Sequence, residues 1–234
     1  MCGGQHSTVA LPAPPLGDAP VADSPPGLVI DDLARRYGRR WAVARISFQV
    51  APGVACQVTG PNGSGKSTLL RCIATALRPH HGAARLDGKD IWAWRRTMRR
   101  DIAFLSHDSR LYEDLSAKDN LQSWARLGGY SANVDALIER VGLDPKRDDP
   151  VRMFSAGMRR RLALSIALMK QPKLLLLDEP FAALDPQGRA LVIDVIREIC
   201  ATNAVVLMAT HHPEEAAAAC DQHVRLESGR QVVA

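Results

Sequence analysis

Apolar and polar positions along the chain follow two different periods. Short, mostly apolar runs at 28–33, 46–50, 53–59, 102–105, 173–177 and 204–209 are bounded by glycine, proline or polar residues. Each predicts a strand; those at 53–59, 173–177 and 204–209 read as buried, the leucine run at 173–177 as a parallel strand covered on both faces. Closing strands are predicted at 222–226 and 231–233, and 83–90 reads as a short strand and hairpin. Elsewhere a spacing of three and four takes over. It predicts a helix at 69–77 and then, across 116–169, helices at 116–127, 131–141 and 156–169 with no strand between them. Asp185 followed by Pro186 predicts a capped helix start, and a short Ala-rich helix follows Pro213. Strands alternating with helices give the α/β class, and the helical block from about 108 to 170 reads as a lobe inserted into a sheet domain spanning 27–234. Residues 1–26, rich in Pro, Ala and Gly, lack the basic start and apolar core of a secretory signal and read as a disordered leader.

The junction between the strand at 53–59 and the helix after it carries Gly60, Pro61, Asn62, Gly63, Ser64, Gly65, Lys66, Ser67 and Thr68. This fits G-x-x-x-x-G-K-[S/T], and a strand before it with a helix behind it is the context the pattern requires. Glycines let consecutive backbone N–H groups turn inward toward phosphate oxygens, and the positive end of the helix adds to the pull on the anion. Lys66 supplies a mobile charge for the outer phosphates, and the Ser67 hydroxyl is placed to hold Mg²⁺. The apolar run at 173–177 ends in Asp178 and Glu179, which it delivers to the carboxyl edge of the sheet, where ligands of doubly wound folds bind. With a phosphate loop upstream, Asp178 is expected to hold the metal through water and Glu179 to polarise an attacking water. His211, just past the strand at 204–209, reaches the same edge. Tyr37 has two readings that spacing does not separate: a ring stacked on a base, or a ring packed at a sheet edge.

Charge and composition narrow the partners. The net charge of +5 is modest and its arginines are scattered, so nucleic acid is not expected, and an anionic membrane surface suits the chain equally well. Arg95, Arg96, Arg99 and Arg100 read as a solvated face, with a lipid or protein contact as the second reading. His80 and His81 have no further ligand at metal spacing and read as a solvated turn. The five cysteines form no C-x-x-C pair and no disulfide framework, which suits a reducing compartment. No apolar run reaches membrane-spanning length, so any membrane crossing is expected to belong to another chain.

Taken in order, these pieces resemble the nucleotide-binding domain of ATP-binding-cassette (ABC) transporters, from about residue 28 to 233. The most diagnostic element is Phe154-Ser155-Ala156-Gly157-Met158, similar to the family's L-S-G-G-Q signature and placed ahead of the Asp178-Glu179 strand and the distal His211. The resemblance implies an α/β P-loop ATPase fold with a mixed sheet core, ATP and Mg²⁺ as ligands, and a homodimer of ATP-binding subunits. It implies that Tyr37 stacks on adenine, that residues 60–68 wrap the phosphates, and that Glu179 is the general base with His211 contacting the γ-phosphate. Ser155 and Gly157 would close over nucleotide bound to a second copy, and Asp185 would communicate across that dimer. A separate transmembrane permease and a peripheral place on the cytoplasmic membrane face are implied as well. Two positions depart from the family pattern: His107 stands where Gln is usual, leaving contact with metal or water open, and Met158 replaces the final Gln of the signature. His107, the segment 115–121 and the motifs at 154–161 and 177–185 are together similar to the ATP-binding subunit of the bacterial cytochrome c maturation haem exporter. Exporters of drugs, lipids or polysaccharides, and soluble ABC ATPases outside transport, are the alternatives.

Overall fold

The computed structural model describes residues 25–106, 110–211 and 213–232. Strands β1 (Leu28–Tyr37) and β2 (Arg40–Val50) form an antiparallel hairpin. With β4 (His81–Leu86) and β5 (Lys89–Asp90) they make one sheet in the order β2-β1-β4-β5. The second sheet is built around β3 (Ala55–Thr59), β6 (Ile102–Leu105), β7 (Leu174–Asp178) and β8 (Val205–Ala209). Closed by β9 (Gln222–Glu227) and β10 (Arg230–Val232), it runs β10-β9-β3-β8-β7-β6, parallel apart from the β10 edge. The sheet is therefore mixed.

The leucine run explains why β7 is an interior strand, between β8 and β6. Leu174 and Leu176 pack into the apolar cluster shared with the antiparallel sheet and α1 (Lys66–Ile73), while Leu175 and Leu177 pack into the cluster on the opposite face, beneath α6 (Pro186–Ala201). All four are fully buried, and no polar position marks a solvent face. Truncating any one of them to Ala would cost roughly 2–5 kcal/mol through lost transfer energy and the cavity left behind. Between β6 and β7 lie α3 (Ala117–Gly128), α4 (Val134–Arg140) and α5 (Ala156–Met169). They gather a third apolar cluster around Leu121, Ile138, Phe154 and Leu162. A short α7 (Pro213–Ala217) precedes β9.

The hairpin strands are longer than the apolar runs that predict them, because backbone pairing carries β1 through Arg35, Arg36 and Tyr37 and starts β2 at Arg40. Helix α1 begins at Lys66, earlier than the predicted residue 69, and ends at Ile73 rather than 77. Thr75 there adopts φ +59°, and the N–H groups of Ala76 and Leu77 both donate to Arg71 O, which closes the helix. A helix without a sequence signal, α2 (Arg95–Asp101), buries Met98 alone and leads into β6.

Cys56 on β3 and Cys72 on α1 are fully buried, and burial pushes each thiol up to about 12. Both stay protonated at neutral pH, and the thiolate is the reactive form. At pH 8 the native chain is expected to leave these two sites unlabelled by a maleimide until denaturant is added. Site mapping by mass spectrometry checks this, and rapid native labelling at either site would contradict the burial.

Candidate functional site

The strand β3 ends at Thr59 and α1 starts at Lys66, so the intervening turn is held at both ends by buried elements. Gly60 takes φ +143° and Gly65 φ +106°. A Cβ at Gly60 would stand 2.0 Å from Leu226 O, and one at Gly65 2.2 Å from Ala42 O, so glycine is required there for space as well as for angle. At Gly63, φ +79°, a Cβ would meet nothing within 4 Å, and the loop is open on that side. Pro61 and Asn62 are exposed, and Thr68 is half-buried on the first turn of α1. Lys66 is 6% exposed and folds back over its own loop, its Nζ donating to Gly60 O at 2.7 Å and Pro61 O at 3.2 Å. Ser64 Oγ is buried with no hydrogen-bond partner among the described residues, a donor left for something absent from the chain.

The parallel register brings the acids to the same edge. Ser67 Oγ donates to Asp178 Oδ1 at 2.9 Å, joining the first turn of α1 to the end of β7. Asp178 is 3% exposed; burial raises the pKa of its carboxyl, the Ser67 hydroxyl pulls it back down and neighbouring Glu179 adds to the rise. Glu179 sits at φ +51°, a conformation costing on the order of 1 kcal/mol for a residue with a Cβ, and its N–H donates to Ala209 O at 2.8 Å. Its carboxylate meets His211: Oε2 lies 2.8 Å from the ring Nδ1 and 3.3 Å from the backbone nitrogen. The histidine stands one residue beyond Thr210, at the end of β8, and stays nearly half exposed.

The other expected residues are dispersed around this group. Tyr37 closes β1, 48% exposed, with the Arg35 guanidinium 5.4 Å from its ring centroid. Ser155 caps α5, its Oγ accepting from Met158 N at 3.2 Å, and it is exposed. Gly157 lies against the backbone of Ala183, whose φ is +62°; a Cβ there would be 2.9 Å from Ala183 O. Exposed Asp185 caps α6, accepting from Gly188 N at 2.8 Å. Among the described residues, neither Ser155 nor Asp185 hydrogen-bonds to the 60–68 loop, Asp178 or Glu179. His107 lies outside the described residues.

Sequence reasoning missed Arg160. It reads as one of three arginines opening a helix, yet only Arg160 of the three is buried. The signal was available: Arg160, Ala163, Leu164 and Ala167 follow the i, i+3, i+4, i+7 spacing of the face that packs on the sheet.

A polyphosphate with Mg²⁺ fits these residues. The unpartnered Ser64 hydroxyl, the Lys66 ammonium and the amino end of α1 form a donor set for an anion. Ser67 and Asp178 offer two hard oxygens for a cation that usually keeps further ligands from water and substrate phosphate. No cluster of three or more His, Cys, Asp or Glu that could cage a metal alone occurs among the described residues.

Residues 43–182 match the family model described as ABC transporter. The chain is 36% identical over 210 residues to the daunorubicin resistance ATP-binding protein DrrA3 of Streptomyces coeruleorubidus, covering 88% of this chain and 66% of that protein. It is 34% identical over 226 residues to the Nod factor export ATP-binding protein I of Ralstonia nicotianae, covering 94% and 68%. It thus spans about two thirds of the length of these relatives. A solved structure of the ATP binding subunit of an ABC transporter superposes with a TM-score of 0.81 at 28% identity, covering 88% of both chains. The loop at 60–68, the acids ending β7 and this matched fold agree: the chain belongs to the ABC transporter family, of which it carries the ATP-binding domain.

Proposed function

We propose that the chain hydrolyses ATP as the motor subunit of an exporter whose membrane-crossing part is a separate permease. The observation that carries this reading is the convergence on one sheet edge of the Ser67–Asp178 hydrogen bond and the Glu179–His211 contact, beside the phosphate loop. The loop amides and Lys66 bind and orient the polyphosphate, and Ser67 with Asp178 holds Mg²⁺. When bound, Mg²⁺ neutralises charge on the transferring phosphoryl oxygens. Glu179 accepts the proton of the attacking water, and His211, fixed by Glu179, presents its ring toward the γ-phosphate. Little covalent work remains for the protein; its contribution is position and charge. Tyr37, exposed at the end of β1, offers its ring to the adenine.

The exposure of Ser155, Gly157's seat against Ala183 and the exposed cap Asp185 fit a second copy closing head to tail, with Ser155 and Gly157 of one chain over nucleotide on the other. His107 is proposed to contact metal or water. A groove of about 640 Å³ between β6 and the α3–α5 segment, lined by Arg99, Phe104, Trp124, Leu127 and Lys170, suits the permease contact. No described helix is long and apolar enough to cross a membrane; the chain is proposed to sit peripherally on the cytoplasmic face, against its permease. As to cargo, relatives named for daunorubicin resistance and Nod factor export favour small organic compounds. Haem export rests on the sequence motifs alone and is the second reading.

Purified chain is expected to release phosphate from Mg–ATP, and the rate is expected to rise on reconstitution with its permease in vesicles. No phosphate release in either setting would remove the ATPase reading. Hydrolysis indifferent to every membrane fraction of the source cell, with the chain unbound, would point to a soluble ATPase outside transport.

A further inference from the structure

Resting on the ATPase reading above, we infer that Arg160 is a positioning residue: it clamps the main chain beneath Asp178 and Glu179 and ties it to the helix that Ser155 caps. The side chain is 7% exposed. Its Nη2 donates to Asp178 O at 2.5 Å and to Glu179 O at 2.8 Å, and its Nη1 donates to Ser106 O at 2.6 Å. One guanidinium therefore joins the ends of β6 and β7, the residue before His107 and both acids. No carboxylate oxygen lies within ion-pair distance of it among the described residues.

A buried cation without an ionic partner is expensive, and an apolar side chain would satisfy the face shared with Ala163 and Leu164 more cheaply. What the cation supplies instead is a set of charge-assisted hydrogen bonds from a rigid fork, a geometry no other side chain provides. Burial lowers its pKa to about 10, with Asp178 and Glu179 drawing it back up, so it remains charged at neutral pH.

The residue it grips most directly is the strained one. Glu179 holds φ +51°, with its N–H on Ala209 O and its carbonyl accepting from Ala182 N at 3.2 Å as well as from Arg160. A residue persists in that region only when its surroundings over-determine it. Arg160 lies little more than one helical turn from Ser155, so a displacement of the Ser155 turn reaches the main chain of Glu179 through a single side chain. The Lys66 contacts, on Gly60 O and Pro61 O, lie outside this clamp, and Ser67 meets it only through the Asp178 carboxylate.

Two variants of the full chain test the clamp. Arg160→Lys keeps the charge but loses the fork, and Arg160→Gln keeps a donor but loses the charge. In both, kcat per bound nucleotide is expected to fall roughly 10- to 100-fold while KM for Mg–ATP stays within about threefold, because misplacement of about 1 Å is enough for such a loss. Amide hydrogen exchange over 178–184 is expected to speed up in both variants, with 66–73 unchanged. A kcat per nucleotide-competent chain equal to that of the unaltered protein would overturn the inference, as would unaltered exchange over 178–184. The exchange arm is independent of catalysis: an unaltered chain that fails to hydrolyse ATP removes the proposed function, whereas unchanged exchange removes the clamp.

Discussion

Glu179→Gln is expected to lower steady-state phosphate release by about 10²–10⁴-fold, the usual worth of a positioned general base, and to leave nucleotide affinity nearly intact. The carboxylate is the group at this edge that can accept a proton without already being engaged by Ser67, because Asp178 accepts the Ser67 hydroxyl and is almost wholly buried. Glutamine matches the shape and still offers an oxygen to His211 Nδ1, but its amide cannot serve as a base. The binding contacts at Lys66, Ser64 and Ser67 lie on the loop and α1 and are untouched. If two copies close head to tail as proposed, a variant that binds and does not hydrolyse is also expected to accumulate that dimer, so light scattering with Mg–ATP should show a doubled mass that persists longer than in the unaltered protein. Steady-state hydrolysis at the unaltered rate would take the base role from Glu179.

Much of this site was legible from sequence because its residues are joined to elements that leave a strong pattern. An apolar run this short, bounded by polar residues and proline, reads as a strand buried on both faces, so the positions of Asp178 and Glu179 at its end follow from Leu174 to Leu177. The loop is similarly bracketed by β3 and α1. What did not show was structure made by pairing rather than burial. The outer halves of β1 and β2 are rich in exposed arginine and are strands because they pair with each other, and α2 has one buried residue and hence no period to read. Arg160 was hidden for another reason: a charged residue on an apolar face looks like an interruption of the pattern until its three carbonyl partners, distant in sequence, are known. The conformation of Glu179 is of the same kind: besides the local bond from Ala182 N to its carbonyl, it is held by Ala209 and Arg160, both distant in sequence.

Lys66→Ala is expected to weaken Mg–ATP binding by about 3 kcal/mol, roughly a hundredfold in Kd, since truncating one partner of a buried charged contact costs about 2–5 kcal/mol. The ammonium is nearly enclosed and bonded to Gly60 O and Pro61 O, so it is already held over the loop before any ligand arrives. It pays little entropy to meet a phosphate, which makes its contribution larger than that of a free surface lysine. Alanine is the best helix former and stands here at the first position of α1, so the fold is expected to survive the change. Lys66→Arg should fare little better, because a planar fork does not fit where a compact charge reaches two converging carbonyls. Calorimetric titration gives the affinity directly. Thermal unfolding gives it independently: ligand at about 100 times Kd stabilises the unaltered protein by about 2.7 kcal/mol, and that gain should shrink to a few tenths in Lys66→Ala at the same concentration. An unchanged Kd together with an unchanged ligand-induced shift would mean that the outer phosphates are held elsewhere, and the assignment of residues 60–68 as the anion site would fall with it.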